Sequence, residues 1–414
     1  MVIASIDLMQ QKAVQLRQGK DKVLERDNPF ELAREFDRYG EIAVIDLDAA
    51  LRQGSNRELI TRLLPLGSFR VGGGIRAPED VVHYLSHGAK KIILGSSVFT
   101  DDRIQLDFLE SILKVAKREE LIVAIDAWGD EIVTQGWKHH TGLNLFETAR
   151  VLSPYVGEFL FTCVEQEGTM QGIPLDRVKQ LREVVPNLIT AAGGVHTLAE
   201  IEQLALIGCD VQLGMALYTG AIRLSEAFIA GLDWSRELIP TVTQDESGRI
   251  LTLAYSNCDS LRNMLESGQV WFYSRSRQKL WQKGESSGHT QNVVRLRADC
   301  DRDTLLVTVK PHGPACHTNQ YSCFDYPTLS WKDLYEVILN RIQNAQPGSY
   351  TARLNDTLLR EKIMEEADEL CEAKNHDEIV WESADLLYFV TVLMARSGVS
   401  IDEIWHELAR RRRK

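Results

Sequence analysis

The chain has 414 residues, 44% hydrophobic and 26% charged, a globular balance that excludes a disordered, collagen-like or coiled-coil chain. At about 150 residues per domain, this length holds two or three domains. Its 47 basic and 59 acidic residues leave a net charge of -12, a field that does not attract nucleic acid or anionic membrane, so an anionic ligand must be held by local devices. The start, Met1-Val2-Ile3-Ala4-Ser5, shows no basic segment leading into an apolar one, so no signal peptide is expected. No run of about 18 apolar residues predicts a membrane span. Seven scattered cysteines, an odd count, argue against a closed disulfide framework and predict reduced thiols in a cytoplasmic protein. The basic run at 410–414 reads as a solvated helix end, where cations suit the dipole.

Residues 1–235 form the first predicted domain. Short apolar runs at 2–6, 42–45, 69–71, 91–94, 121–125, 158–161, 188–191 and 211–213 alternate with amphipathic stretches at 29–39, 78–87, 102–117 and 198–206. Eight such strand–helix units predict a (β/α)8 barrel. An internal repeat supports this. Gly73-Gly74-Ile75 recurs as Gly193-Gly194-Val195 and Gly88 as Gly208, both at an offset of 120. Ile6-Asp7 recurs as Ile125-Asp126 and Leu94-Gly95 as Leu213-Gly214, both at 119. That period is too long for a solenoid and implies two fused half-barrels.

Barrel ligands sit at the carboxyl ends of the strands. Asp7 and Asp126 fall there, opposite each other, and are the candidate acid–base pair. Gly73 and Gly74, Gly95 with Ser96, Gly193 and Gly194, and Gly214 let backbone N–H groups approach phosphate closely. The implied ligand has a phosphate at each end and a reactive centre between two carboxylates.

After Trp234 the pattern changes. Residues 236–329 carry β-like runs at 250–254, 270–273, 293–296 and 305–309. Asp299-Cys300-Asp301-Arg302-Asp303 is expected on a strand, with Asp299, Asp301 and Asp303 sharing one face. Three carboxylates there suit a hard cation such as Mg²⁺. Cys300, Cys316 and Cys323 suit Zn²⁺ with its fourth position open to water. Residues 330–414 read as all-helical, at 334–345, 356–373, 378–396 and 401–412, with a break at Gln346-Pro347-Gly348. Glu365, Glu366 and Glu369 lie on one helix, and Glu382 and Asp385 on the next with the same spacing of three. Such runs are usually solvated faces. The apolar Leu386-Leu387-Tyr388-Phe389 beside the second pair argues for a Mg²⁺ cage between the helices.

Three resemblances extend this reading. Ser5-Ile6-Asp7-Leu8, Val44-Ile45-Asp46-Leu47-Asp48, Val71-Gly72-Gly73-Gly74-Ile75-Arg76, Gly136-Trp137 and Ala191-Ala192-Gly193-Gly194-Val195 resemble the histidine-biosynthesis isomerase family. Its sister cyclase shares the duplicated barrel, but the Asp46-Leu47-Asp48 motif favours the isomerase. The resemblance implies an Amadori rearrangement of a phosphoribosylformimino aminoimidazole carboxamide ribonucleotide, from aminoaldose to aminoketose. Asp7 is then the general base and Asp126 the general acid. Trp137 stacks on the substrate, with Thr162 and Arg76 among the further substrate contacts. Glu167 stands where the family has a catalytic-loop Asp, and Gln15 where it commonly has Arg.

The segment Trp271-Phe272-Tyr273-Ser274-Arg275-Ser276-Arg277, followed by Lys283-Gly284-Glu285 and Ser287-Gly288-His289, resembles phosphoribosyl-AMP cyclohydrolase. That implies opening of an adenine ring between N1 and C6, with Zn²⁺ on the three cysteines and Mg²⁺ on the three aspartates. Arg275 and Arg277 would contact phosphate and His289 would transfer a proton. In that family the zinc ligands come from two chains, which implies a homodimer. The two acidic helices, with Ser349-Tyr350-Thr351 before them, resemble phosphoribosyl-ATP pyrophosphohydrolase, which cuts an α–β phosphate bond. Lys362 is there a phosphate contact or a partner of the acids.

Together these imply a trifunctional enzyme whose chain order reverses its reaction order. It would act on small phosphorylated substrates as a homodimer through its second and third domains, with no nucleic-acid or membrane partner. The alternative is a bifunctional hydrolase carrying a non-catalytic barrel, or one that also accepts phosphoribosylanthranilate.

Overall fold

The computed structural model describes residues 1–17, 21–100, 102–324, 329–344 and 349–411. The predicted break at Gln346-Pro347-Gly348 and the last residues of the basic run, 412–414, lie outside them. The chain divides into a large unit, Met1–Phe324, and a helical remainder.

All eight predicted barrel strands form. They are β1 (Val2–Met9), β2 (Ile42–Asp46), β3 (Phe69–Gly72), β4 (Lys91–Leu94), β5 (Leu121–Trp128), β6 (Glu158–Cys163), β7 (Leu188–Ala192) and β8 (Asp210–Leu213). Each pairs in parallel with the next, and β8 closes on β1 with Val2 opposite Val211. Their runs of Ile, Val, Leu and Ala are continuous because a parallel strand is covered on both faces. One set of side chains packs outward under the helices, as Ile6, Val44 and Phe161 do. Another fills the interior, where Ile93, Ile122, Leu160 and Ala192 meet.

The repeat is visible in three dimensions. Both β1 and β5 continue past the rim into an antiparallel hairpin, with Asp7 opposite Val14 and Ala127 opposite Ile132. At the starts of helices Pro78–Ser86 and Leu198–Leu206, Asp80 and Glu200 accept from the backbone at Ala77 and Thr197, and in the second Thr197 Oγ1 accepts in return from Glu200 N.

The base of the barrel is polar and sealed. Arg70 on β3 is 1% exposed. Its Nη1 donates to Glu158 Oε1 at 2.5 Å and to Thr190 Oγ1 at 3.2 Å. It also pairs with Glu41, and Lys91 Nζ stands 2.7 Å from Glu158 Oε2. Burial pushes the Glu158 carboxyl up, but Arg70 and Lys91 outweigh it and hold it down to about 2. Asp210 opens β8 at this end, paired with the Met1 ammonium and with Arg302.

Beyond the barrel, a four-stranded sheet runs in the order Ile250–Ser256, Ile239–Asp245, Leu305–Pro311, Gln291–Ala298. A hairpin, Trp271–Ser274 with Lys279–Gln282, and a helix, Cys258–Ser267, complete it. This core is continuous with the barrel's last helix. Phe228, Ile229 and Leu232 pack with Leu251, Leu261, Phe272 and Val307.

One expectation is corrected here. The Asp299–Asp303 motif is not on a strand. Ala298 pairs with Leu305, so 299–304 is the loop joining two strands. The aspartates converge because that loop turns, with Arg302 in a left-handed conformation at φ 68°, and not because alternate strand residues share a face.

The helical unit consists of Trp331–Gln343, Tyr350–Arg353, Asp356–Glu372, His376–Ser397 and Ile401–Arg411. Ser330, Asn355 and Asn375 cap three of these at their starts. Gly398 ends the longest in a left-handed cap. Ile338, Leu354, Leu359, Phe389 and Val392 form its core. Among the described residues no single helix is long and apolar enough to cross a membrane.

Candidate active sites

The barrel mouth encloses a cavity of about 270 Å³. Every barrel residue read from the sequence as an acid, a base or a substrate contact lines it: Asp7, Gly73, Gly74, Arg76, Gly95, Ser96, Asp126, Trp137, Thr162, Glu167, Gly193, Gly194 and Gly214. Two glycines explain how the backbone lies so close there. Gly73 has φ 91°, and an added Cβ would stand 2.2 Å from the Asp46 carbonyl oxygen. Gly193 has φ 93°, and its Cβ would stand 2.5 Å from that of Cys163. The two repeats thus make the same turn, and only glycine fits either.

Three carboxyl groups share this cavity in different electrostatic states. Asp7 accepts from Ser5 Oγ at 2.7 Å. Burial pushes it up to about 6, and the Ser5 hydroxyl partly opposes that. Asp126 accepts from Trp137 Nε1 at 2.8 Å. Burial raises it too, against the hydrogen bonds of Trp137 and Thr162. Glu167 is pushed up to about 8, first by burial and then by the charges of Asp7 and Asp126. Glu167 therefore keeps its proton to higher pH than Asp7 does, a division suited to acid and base roles. Trp137 has φ 66°, and its bond to Asp126 fixes the indole across the cavity. Arg76 sits at the rim, its guanidinium held by the carbonyls of Ala49 at 3.0 Å and Ala50 at 3.2 Å.

Two polar groups in this cavity were not among the predicted contacts. Gln15 is 2% exposed, and its Nε2 is buried with no hydrogen-bond partner, as is Ser97 Oγ. Both side chains line the cavity and offer donors to an anion. The signal for Ser97 was its place beside Gly95-Ser96. Gln15 lies on the first rim hairpin, 119 positions before Thr134 on the second, and Thr134 lines the cavity too.

In the sheet domain, one carboxylate oxygen each of Asp299, Asp301 and Asp303 lies within 4.8 Å of the others. The Asp301 carboxyl is favoured as the anion by its own backbone amide, yet the charges of Asp299 and Asp303 raise it above the ordinary range. Cys316 Sγ lies 3.1 Å from Thr318 Oγ1. That hydroxyl, with a smaller contribution from Cys323, lowers the thiol. Cys300 is exposed on the acidic loop, and the three sulfurs do not gather within one chain among the described residues. Arg275 stacks 3.8 Å over the Tyr255 ring and Arg277 lies 5.5 Å over Trp281. His289 packs against Gly313, where an added Cβ would stand 2.8 Å from the imidazole.

In the helical unit, Glu366, Glu382 and Asp385 bring their oxygens within 4.8 Å of one another. Glu366 is 7% exposed, and Glu382 Oε2 is buried with no partner. Burial first, then the charges of Asp385 and Glu369, raises the Glu366 carboxyl. Glu369 acts on both Glu366 and Glu382. Glu365 is outside this group and pairs with Lys362 at 2.7 Å.

Residues 1–223, more than half the chain, match the family model described as Histidine biosynthesis protein. The chain belongs to the histidine biosynthesis protein family. In this family member, residues 252–325 match the Phosphoribosyl-AMP cyclohydrolase model and residues 331–412 the Phosphoribosyl-ATP pyrophosphohydrolase model. Similar curated proteins are histidine biosynthesis bifunctional proteins HisIE. That of Pyrococcus furiosus is 39% identical over 206 residues, covering 45% of this chain and 99% of the relative. That of Bacillus subtilis is 44% identical over 191 residues, covering 42% and 91%. That of Lactococcus lactis is 45% identical over 183 residues, covering 41% and 86%. Isomerase, cyclohydrolase and pyrophosphohydrolase domains on one chain make this histidine biosynthesis protein a trifunctional enzyme.

Proposed function

We propose that the barrel carries out its isomerisation with Asp126 as the acid and Asp7 as the base. The observation that carries this is the gathering of Asp7, Asp126 and Glu167 in one cavity, each raised above the ordinary carboxyl range by burial. Asp126 gives a proton to the ribose ring oxygen as the ring opens. Asp7 then takes the proton from the carbon next to the resulting imine, and the enol so formed becomes the ketone. Glu167, which keeps its proton to higher pH than Asp7, stands beside them as a proton donor. The glycine turns at Gly73 and Gly193 hold the two phosphates through backbone N–H groups, with Ser96, Gln15 and Ser97 supplying further donors. Trp137 stacks on the base between them.

The second site is proposed to hold Zn²⁺ on Cys300, Cys316 and Cys323, with Mg²⁺ on Asp299, Asp301 and Asp303. The donor sets fit: soft thiols for zinc, and converging carboxylates for a hard cation. The three sulfurs do not form one close group within a chain among the described residues, which supports a zinc site completed by two chains, and hence a homodimer. Bound zinc would lower the pKa of a water to within reach of neutral pH. Arg275 and Arg277 orient the phosphates and His289 moves a proton. Cys316→Ala should leave pyrophosphate release intact, halt the sequence at phosphoribosyl-AMP and lower bound zinc measured by elemental analysis. Zinc content equal to the parent's would refute the ligand set.

The third site is proposed to hold Mg²⁺ between Glu366, Glu382 and Asp385, with Glu369 and Glu365 beside them. The orphaned Glu382 Oε2 supports this, since a buried carboxylate oxygen with no donor is stabilised by a cation or by taking up a proton. A cation held by these residues would neutralise phosphate charge, and Lys362 lies at the edge of the cage. Glu366→Gln should reduce pyrophosphate release from phosphoribosyl-ATP by at least about a hundredfold, on the scale seen for ligands and their supports. Unchanged release would remove the cage from the mechanism. Exposed Met364, Val380 and Trp381, at 63%, 55% and 70%, support pairing of helical units in the same homodimer. The enzyme is proposed to work in the cytoplasm, on small phosphorylated substrates, without nucleic-acid or membrane partners. The experiment that tests the whole reading supplies phosphoribosyl-ATP, Mg²⁺ and Zn²⁺ and identifies every product. Accumulation of the aminoaldose with no ketose would sink the acid–base assignment.

A further inference from the structure

The acidic loop 299–304 is attached to the barrel through its own central residue. Arg302 lies between Asp301 and Asp303, yet its side chain leads away from them and is 12% exposed. Its Nη2 donates to Asp210 Oδ1 at 3.0 Å and to the Cys209 carbonyl at 3.1 Å, and its Nη1 to the Ala205 carbonyl at 3.5 Å. Its own carbonyl accepts from Asp233 N at 3.0 Å. Asp210 begins β8, Ala205 lies in helix Leu198–Leu206, and Asp233 follows the barrel's last helix. Arg302 also holds φ 68°, a conformation unusual for a residue with a side chain unless its surroundings fix it.

The strand that enters the loop is held as well. Leu296 N donates to the Arg38 carbonyl at 2.8 Å. Arg297 reaches Asp37 Oδ1 and the Asp37 carbonyl, each at 2.8 Å, and Arg295 pairs with Asp37 Oδ2. The barrel therefore grips the loop at its approach and at its turn.

We infer that Arg302 is a positioning residue, through which the barrel holds the acidic loop of the cyclohydrolase domain in its ligand-gathering shape. This rests on the reading that Asp299, Asp301 and Asp303 hold a cation. Three carboxylates within 4.8 Å repel one another, so a loop without its cation tends to open. Arg302 opposes that opening from outside the site, by fixing the backbone between two of the ligands. Supports of this kind typically change metal affinity by about 10–100-fold.

The test uses the full-length protein in the Glu366→Gln background, so that the helical cage does not contribute to cation binding. Mg²⁺ is titrated by calorimetry, and hydrogen exchange of the Thr304 amide, which donates to Asp299 Oδ1 at 3.1 Å, is followed without Mg²⁺. Arg302→Met should weaken Mg²⁺ binding at least about tenfold. It should speed Thr304 exchange by a similar factor and leave isomerase kcat/KM at the parent's value. Asp210→Asn, which alters the barrel side, should move both readouts the same way. Thr304 exchange equal to the parent's in both variants overturns the inference. So does a matched loss of isomerase and cyclohydrolase activity with a lowered melting temperature, which marks a general folding defect. Asp301→Asn is the separate arm. If it leaves Mg²⁺ affinity intact, the aspartates are not the cation site and that underlying reading fails, while Thr304 exchange still decides whether Arg302 fixes the loop.

Discussion

Asp126→Asn is expected to lower isomerase kcat/KM by about 10³-fold, within the 10²–10⁴ range of a general acid or base. An amide of the same shape still accepts from Trp137 Nε1, which now stands 2.8 Å from the carboxylate, so the indole stays in place and the loss reports the proton. Supplied with phosphoribosyl-ATP, the variant should release pyrophosphate normally and accumulate the aminoaldose. The parent's kcat/KM should fall as pH drops through about 6, because Asp7 must be unprotonated to act as a base and burial has raised it to that value. This limb belongs to Asp7, so Asp126→Asn should keep it at its reduced rate. A variant with the parent's rate, or one without the acidic limb, would contradict the assignment of the two roles.

Arg70→Met is expected to destabilise the barrel by about 3–5 kcal/mol, the usual result of removing one partner from a buried ion pair. Arg70 and Glu158 are each 1% exposed. Without the guanidinium, Glu158 keeps Lys91 and the Thr190 hydroxyl, Glu41 loses its Arg70 partner, and Thr190 loses a donor. Calorimetry of the full chain should show the large unit's transition shifted down. Pyrophosphate release should be normal below that temperature, since the helical unit has its own core. Adding Glu158→Leu should recover part of the loss, because an apolar pair costs less than one unpaired buried charge. A shift under about 1 kcal/mol would mean that water reaches the barrel base.

Much of this architecture was legible because local signals and global fold agree. The eight barrel strands are continuous apolar runs bounded by turns. The repeat at 119–120 fixed which Asp and which Gly pairs are equivalent. The acidic loop was misread because Asp-Cys-Asp-Arg-Asp alternation looks the same in a strand and in a turn, and the left-handed backbone at Arg302 has no glycine to announce it. Strand Ile239–Asp245 was missed because Pro240 interrupts its apolar pattern. Helix Cys258–Ser267 was missed although Asn257, Ser260 and Gly268 mark its ends. The orphaned donors of Gln15 and Ser97 could not be read, since burial without a partner is a property of packing and not of residue type. The bonds from Arg302, Arg295 and Arg297 to the barrel join residues about 90 to 260 positions apart, beyond any local pattern.

The barrel base also determines which half-barrel can pair with which. The two glycine turns place Asp46 and Cys163 in equivalent positions, which makes Glu41 the counterpart of Glu158. The repeat also matches Arg70 with Thr190 and Lys91 with Asp210. The first half therefore brings one acid and two bases to this layer, and the second brings two acids and a hydroxyl. Two copies of the first half would crowd four cations around two carboxylates, and two copies of the second would bury four acids with no cation. Although the halves share a backbone plan, their charges have diverged into a lock and a key, so each half specifies the other as its mate and rejects its own twin.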